Sequence, residues 1–486
     1  MELSELKPTA VFHYFDEICK VPRPSKKEEK IIAFLEAFAK EHKLEILKDE
    51  CGNILIKKPA TKGKEHLKTV VLQSHVDMVC EKNNDVTHDF LTDPIETEID
   101  GEWLKAKGTT LGADNGIGVA TELAILAAND IEHGPIECLF TVDEETGLTG
   151  AFALKEGFLS GEILLNLDSE DEGELFIGCA GGIGSIGEFH YKEVTVPENY
   201  FFFKVEVKGL KGGHSGGDIH LGRGNANKIL NRFLSQTAQK YDLYLSEING
   251  GNLHNAIPRE AYAICAVPHD AKELVRIDLN IFSADLENEL SVTEPNLKLV
   301  LQSETPRKTA IDQDTTARLL KTLYATPHGV FAMSQDIPGL VETSTNLASV
   351  KMQEGNVIKI ATSQRSSILS ARNDMANTVR AAFELGGASV SFGEGYPGWK
   401  PNPHSEILEV TAASYKRLFG VEAKVKAIHA GLECGLFLDK YPALDMISFG
   451  PTLTGVHSPD ERMHIPSVDK FWKHLVDVLA NIPEKK

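Results

Sequence analysis

Strand-like and helix-like segments alternate along positions 31–167 of this chain, and no other feature narrows its fold as much. Positions 31–42 read as a helix with Ile32, Phe34, Leu35 and Phe38 on one side, and 116–129 as an apolar helix. Positions 69–74, 136–142 and 162–167 are short β-rich runs. Strands parted by helices predict a largely parallel sheet, covered on both faces. From about Glu188 the texture changes. A strand at 200–207, a Gly-rich stretch at 211–217, a helix at 225–235 and strands at 357–361 and 389–392 follow. Positions 393–403 are dense in turn formers, and alternation then resumes with a strand at 445–449 and a last helix at 468–479. At 486 residues the chain exceeds one ordinary core. The predicted layout has two domains. A discontinuous α/β domain takes 1–186 and 396–486, and an inserted α+β domain takes 187–395.

Charge and cysteine content exclude several classes of function. A formal net charge of -21 repels phosphate backbones and anionic lipid, so neither nucleic acid nor membrane is an expected partner. The start, Met1 to Pro8, carries acidic residues and no apolar stretch of the secretory kind, and no apolar run is long enough to span a bilayer. Cysteines 19, 51, 80, 138, 179, 265 and 434 are scattered, odd in number and without a CxxC pair. Free thiols in a reducing, cytoplasmic setting are expected, each buried as a small apolar side chain.

Two tempting motifs fail. Gly182-Ile-Gly184-Ser-Ile-Gly187 matches GxGxxG, but Glu188 onward reads as strand or loop, whereas a dinucleotide site needs a helix there. Asp168-Ser-Glu-Asp-Glu-Gly173 resembles the start of a calcium loop, yet the twelfth position is Cys179 rather than a bidentate Glu.

Five segments place metal-type ligands past a strand or beside a tight turn. In Ser74-His75-Val-Asp77, extended backbone points positions two apart the same way, so His75 can ligate while Asp77 takes its other ring N–H. A solvated strand end is the bland alternative. Asp114, in Gly112-Ala-Asp114-Asn-Gly116, could bind an ion or simply cap a helix. Asp143-Glu144-Glu145 follows the run at 136–142, and adjacent carboxylates there repel unless something positive sits among them or the loop is solvated. Asp168 follows the run at 162–167, and His457 follows that at 445–449. Together they offer two His, two Asp and two Glu at one sheet edge. Such mixed nitrogen and oxygen donors suit zinc, cobalt or manganese.

Several stretches carry a resemblance: Gln73-Ser-His75-Val-Asp77-Met-Val, Gly108-Thr-Thr-Leu-Gly-Ala-Asp114-Asn-Gly-Ile-Gly118, Leu210-Lys-Gly-Gly-His214-Ser-Gly-Gly, Asn255-Ala-Ile-Pro-Arg259, His429-Ala-Gly-Leu-Glu433-Cys-Gly435 and His457-Ser-Pro-Asp-Glu461. In these the chain resembles the M20 metallopeptidases, nearest to the family's bacterial dipeptidases of Xaa-His type. The resemblance implies a zinc-peptidase-like α/β catalytic domain with an inserted α+β lid domain. It also implies two divalent metal ions per chain, zinc first, with cobalt or manganese as alternatives.

By the same resemblance His75 and Asp168 serve one metal and Glu145 and His457 the other, with Asp114 as the bridge and its bond to Asn115 a non-proline cis peptide. Asp77 orients His75, and Glu144 is the general base. His214, Asn255, Arg365, Gly431 and Glu433 contact substrate, the first three from a lid that closes over the metals, with Arg372 lying near Arg365 in sequence. Relatives often carry a neutral residue where this chain has Asp143, a departure expected to leave ligation alone. The implied function is hydrolysis of unsubstituted dipeptides, including Xaa-His, by a metal-activated water. Small dipeptides are the expected partners, and a homodimer is left open. Rival functions are a tripeptidase or N-acyl amino-acid deacylase on the same fold, and a non-catalytic metal-binding scaffold.

Overall fold

The structure is a computed structural model that describes residues 3–485. Met1, Glu2 and Lys486, which enter the reading of the chain start and the predicted outer domain bounds, lie outside the described residues. Backbone contacts divide the chain into two compact units. Met1–Cys179, Trp399–Ala427 and Leu432–Lys486 form the first, and Ala180–Gly398 with Ile428–Gly431 the second.

The first unit is built on an eight-stranded sheet ordered Glu45–Lys48, Ile54–Lys58, Ile136–Thr141, Val70–His75, Ile163–Asn166, Asp445–Ser448, Glu174–Cys179, Lys424–Ile428. Ile136–Thr141, Val70–His75, Ile163–Asn166 and Asp445–Ser448 are parallel neighbours, with Val70 opposite both Ile136 and Ile163. Every residue of Val70–His75 and of Ile136–Thr141 is buried, as a sheet covered on both faces requires. Leu72→Ala there should cost about 2–5 kcal/mol.

The sheet is less parallel than the sequence predicts, because the outer pairings are antiparallel. The hairpin joining Glu45–Lys48 to Ile54–Lys58 escapes notice because its outer strand is mostly exposed and charged. Its turn is closed by a side chain: Asp49 Oδ1 accepts from the amides of Cys51, Gly52 and Asn53, each at 2.9 Å.

Helix Glu29–Glu41 buries Ile31, Leu35, Phe38 and Ala39, an i, i+4, i+7 stripe, while Ile32 and Phe34 are half-buried at its border. The predicted face was therefore rotated by about one position. The apolar helix spans Ala113–Ala127 and starts ahead of the predicted position 116. Asp114 is not its cap: Gly112 holds that place at φ 68°, in the left-handed region that glycine tolerates.

The second unit holds a nine-stranded sheet along which Lys298–Ser303, Tyr200–Lys208, Ala261–Pro268, Tyr244–Gly250, Val341–Gln353, Val357–Ser366, Gly181–His190 and Ser389–Phe392 follow in order, with Gly329–Met333 also pairing Val341–Gln353. Taken outward from the centre, each half has the same strand order. With Gly329–Met333 set aside, each half also runs strand, helix, strand, strand, helix, strand along this sheet, the first half being inserted into the second after Gly181–His190. The halves meet where Asn249 pairs with Lys351 and Gly250 with Val350. Phe189, Phe203, Phe233, Leu347 and Phe383 lie in the shared core.

The GxGxxG stretch lies inside strand Gly181–His190, so no helix follows it. All seven cysteines are free. Five are buried, but Cys51 and Cys80 are only half-buried, contrary to the expectation for all seven, because both lie on loops. Among the described residues no helix is long and apolar enough to cross a membrane.

Candidate metal centre

His75 ends its central strand, and Asp77 lies just beyond it. Asp114 opens the irregular first turn of helix Ala113–Ala127, with φ -84° and ψ 109°, and the Asp114–Asn115 peptide is cis. Glu144 and Glu145 begin a one-turn helix after Asp143, itself at φ 50°, at the end of the neighbouring strand. Asp168 follows strand Ile163–Asn166. His457, at φ 61°, sits in the loop between the short strands Leu453–Thr454 and Arg462–His464.

These five segments converge. Asp114 Oδ1 lies 3.2 Å from His75 Nε2, and its Oδ2 lies 3.2 Å from His457 Nε2. Each imidazole faces one further carboxylate: Asp168 Oδ1 is 3.4 Å from His75 Nε2, and Glu145 Oε2 is 3.0 Å from His457 Nε2. One carboxylate thus reaches two imidazoles through its two oxygens, and each imidazole has an acid of its own.

The donor set fits divalent cations. His75, Asp114 and Glu145 offer ligand atoms that all lie within 4.8 Å of one another. Glu145 Oε1 and Asp168 Oδ1 are buried and lack a hydrogen-bond partner, which is costly unless something positive accepts their lone pairs.

The electrostatics point the same way. Burial, with Asp114 and Glu145 nearby, pushes Asp168 up to about 7 against the pull of His75. Burial, with Asp114 and Asp168, pushes Glu170 up to about 8. Glu144 is held well above the usual range by burial and by Asp168, Glu433 and Glu145. Burial opposes charging of His75, yet Asp168, Asp114 and Asp77 outweigh it and raise the imidazole well above its ordinary value. Hydrogen bonds to Asp114 and Glu145 raise His457 to about 11. Burial likewise opposes ionisation of Asp114, but His457 and His75 hold its carboxyl far below the usual range. The cluster carries more negative charge than its two imidazoles can offset.

Asp77 braces this arrangement. Its Oδ1 lies 3.4 Å from His75 Nδ1 and accepts from the Glu144 amide at 3.0 Å. Its Oδ2 accepts from Ser25 Oγ at 2.7 Å and from the Glu145 amide at 3.3 Å. Glu28, Asp77 and Asp143 also approach one another, but Thr146 and Thr149 hydroxyls bind Asp143, and the Lys26 and Asp143 amides donate to Glu28. That trio knits the loop together.

Three positioning residues have roles no sequence pattern exposes. Glu461, nearly fully buried, accepts from the amides of Leu111, Gly112, Ala113 and Asp114 at 2.7, 2.9, 2.8 and 3.2 Å. Its carboxylate meets the amide-rich start of the helix that carries Asp114. Arg23 is buried and donates to Val76 O, Asp77 O and Gly112 O, tying two ligand segments together. Gln73 Nε2 donates to Glu433 Oε2 at 2.6 Å. Gln73 and Glu461 stood inside recognisable stretches, whereas Arg23 carried no signal.

The remaining predicted residues divide between the units. Glu433 belongs to the first and is fully buried, its carboxyl pushed up to about 7 mainly by burial. His214, Asn255, Arg365 and Gly431 belong to the second. Gly213–His214 pairs with Ala256–Ile257, and Ser215 N donates to Asn255 O at 2.8 Å, so His214 and Asn255 share one small ladder. Arg365 lies within strand Val357–Ser366 rather than past a strand, because that strand runs five residues beyond its predicted end at 361. Its Nη1 donates to Tyr396 Oη at 3.0 Å, and its Nε is buried without a partner. Arg372 is instead engaged by Gly182 O and Tyr396 O at 3.3 and 2.5 Å, which leaves Arg365 the freer guanidinium. A Cβ on Gly431 would lie 2.9 Å from the Tyr396 ring, so Tyr396 packs on one predicted residue and holds another. Tyr396 lies within the turn-rich stretch 393–403, where no sequence pattern distinguishes it.

Comparison with known proteins places the chain. Residues 71–481 match the model of Peptidase family M20/M25/M40. The chain is 47% identical over 484 residues to the cytosol non-specific dipeptidase of Escherichia coli (strain K12), covering 100% of both. It is similar to the crystal structure of aminoacylhistidine dipeptidase from Vibrio alginolyticus, with TM-score 0.92, 46% identity, and coverage of 100% of this chain and 99% of that one. Aminopeptidase PepT from Bacillus cereus ATCC 10987 shares the fold at 16% identity and TM-score 0.61, covering 98% of this chain and 99% of that one. The chain belongs to peptidase family M20/M25/M40.

Proposed function

We propose that the chain is a dinuclear metallo-dipeptidase that hydrolyses unsubstituted dipeptides, Xaa-His among them. The observation that carries this reading is Asp114, whose two oxygens each face one imidazole. The full-length likeness to a cytosol non-specific dipeptidase and to an aminoacylhistidine dipeptidase supports the substrate class.

His75 and Asp168 would hold one ion, Glu145 and His457 the other, and Asp114 would bridge them. Divalent ions held there would supply Lewis acidity and lower the pKa of water towards neutral. Zinc is proposed first, with cobalt or manganese as alternatives of the same donor preference. Asp77 fixes His75 through Nδ1 and holds the backbone of both glutamates. Glu144 takes the proton from water on its carboxylate and passes it to the leaving amine. Glu433 Oε1, unpartnered and buried, accepts from the substrate α-amine. Arg365 pairs with the substrate carboxylate, the geometry a guanidinium offers best. His214 and Asn255 donate to the carbonyl oxygen as it gains charge, and Gly431 lines the substrate's path. Free thiols suit a cytoplasmic setting.

The test is a panel of dipeptides, tripeptides and N-acyl amino acids assayed with metal-loaded protein, alongside metal analysis. Two ions per chain and preference for free dipeptides are expected. Full activity after chelation, or preference for N-acyl amino acids, would overturn the reading.

A further inference from the structure

Two backbone amides aim at one nitrogen of His214. Gly216 N and Gly217 N donate to Nδ1 at 3.2 and 3.0 Å. An imidazole nitrogen that accepts hydrogen bonds carries no proton, so in the neutral ring the proton sits on Nε2. We infer that the Gly216 and Gly217 amides lock His214 as the neutral Nε2–H tautomer and make it a fixed donor toward the substrate. That last clause rests on the proposed function; the lock itself rests on the turn.

The turn is built to hold this geometry. His214 N donates to Asp218 Oδ2 at 2.9 Å, and Asp218 N donates back to His214 O at 3.1 Å. The ladder with Ala256–Ile257 fixes the other side of the residue. Gly216 must be glycine, because a Cβ there would lie 2.1 Å from His429 O. Gly217 is not crowded: its Cβ would meet only His214 Nδ1, at 3.8 Å. Position 217 thus contributes through its N–H.

The surroundings discourage a second proton. Burial comes first and Arg365 second in lowering His214 to about 4, with His254 adding to them. Asp218 alone opposes, and Arg223 Nη1 lies 3.2 Å from that carboxylate. His429 is itself kept neutral by burial and by Arg365, His214 and His220. Donation into Nδ1 also draws electron density from the ring and sharpens Nε2–H as a donor. Such a ring keeps its single proton and its neutral charge across the pH range in which an ordinary histidine titrates, near 6.5.

The test is ¹⁵N NMR of histidine-labelled, metal-loaded full-length protein, with the His214 signals assigned by their loss in His214→Gln. The expected result is a bare Nδ1 and a protonated Nε2, unchanged from pH 5 to 8. A protonated Nδ1, or titration near pH 6.5, would overturn the inference. Gly217→Pro removes one amide donor, and the His214 titration should then climb toward about 6.5; Gly217→Ala keeps the donor and should restore the original signals. If both variants titrate alike, the amide is not the cause and the lock fails. Failure to cleave dipeptides, with the Nε2–H signal intact, would sink the proposed function and leave the lock standing.

Discussion

Gln73 Nε2 and Thr141 Oγ1 both donate to one oxygen of Glu433, at 2.6 and 2.8 Å, and leave the other oxygen buried and unpartnered. The carboxyl is therefore oriented by two neighbours from adjacent central strands while one lone-pair edge stays available. An amine docking there would make a charge-assisted bond worth about 1.5–3 kcal/mol. Glu433→Gln should lower kcat/KM for free dipeptides by about 10- to 100-fold. In the same assay, N-acetylated dipeptides should be poor substrates of wild type and little affected by the substitution. Equal losses on both would dissociate Glu433 from the amine.

Neighbouring glutamates should separate cleanly. Glu144→Gln should retain both ions and lose turnover by about 10²–10⁴-fold, the usual contribution of a general acid–base. Glu145→Gln should lose metal before anything else. Metal content by elemental analysis, read beside steady-state rates, distinguishes them; near-normal turnover in Glu144→Gln would refute its role.

Glu461 offers a test of positioning. Its carboxylate meets four amides, and removing it leaves buried donors that each cost about 1–3 kcal/mol. Glu461→Ala should destabilise the protein by more than about 3 kcal/mol in urea unfolding. Glu461→Gln, able to satisfy part of the set, should lose less stability and still bind ions more weakly, because Asp114 is no longer held. Unchanged metal affinity in Glu461→Gln would confine the residue to folding.

Arg365→Ala should raise KM for dipeptides with a free carboxylate and matter much less for their C-terminal amides. Tyr396→Phe removes the hydroxyl that Arg365 donates to, and should show the same pattern more weakly, with KM rather than kcat affected. A loss of equal size on amides would exclude carboxylate recognition.

Stability of the metal-free chain should fall as pH rises above about 6.5. Asp168, Glu433 and Glu170 have folded values of about 7, 7 and 8, above their ordinary 3.8, 4.5 and 4.5. A group with a raised folded value stabilises fully below its unfolded value and loses that contribution as pH climbs through the folded one. His457, raised from 6.5 to about 11, works in the same direction above pH 6.5. Asp114, lowered below 3.8, contributes a constant amount throughout this window. His214, His328 and His429, lowered to about 4, 4 and 3, act in the opposite direction below their ordinary 6.5 and are constant above it, so the chelated protein should melt at a higher temperature at about pH 6.5 than at about pH 8. Added divalent ions should erase or invert the difference. A flat or opposite trend in the chelated protein would contradict the charge balance described for the cluster.

Much of this protein is determined by its sequence alone. The central strands are legible because they are buried on both faces and read as short runs rich in apolar residues, and His75, Asp168 and Glu145 lie at or just past the ends of those runs. The motif stretches carry the family likeness. Tertiary structure decided what no local pattern encodes. Asp114 reads equally well as a helix cap, yet Gly112 takes that place, and Glu461, 347 positions away, accepts from the Asp114 amide. Arg23 and Tyr396 matter through hydrogen bonds to partners that the fold alone brings near. Arg372 donates to two backbone carbonyls and Arg365 to the Tyr396 hydroxyl, a difference set by partners far away in sequence. The edge hairpin and the doubled strand order of the second unit depend on pairings between distant segments, whose energy lies in contacts and not in any residue's own propensity.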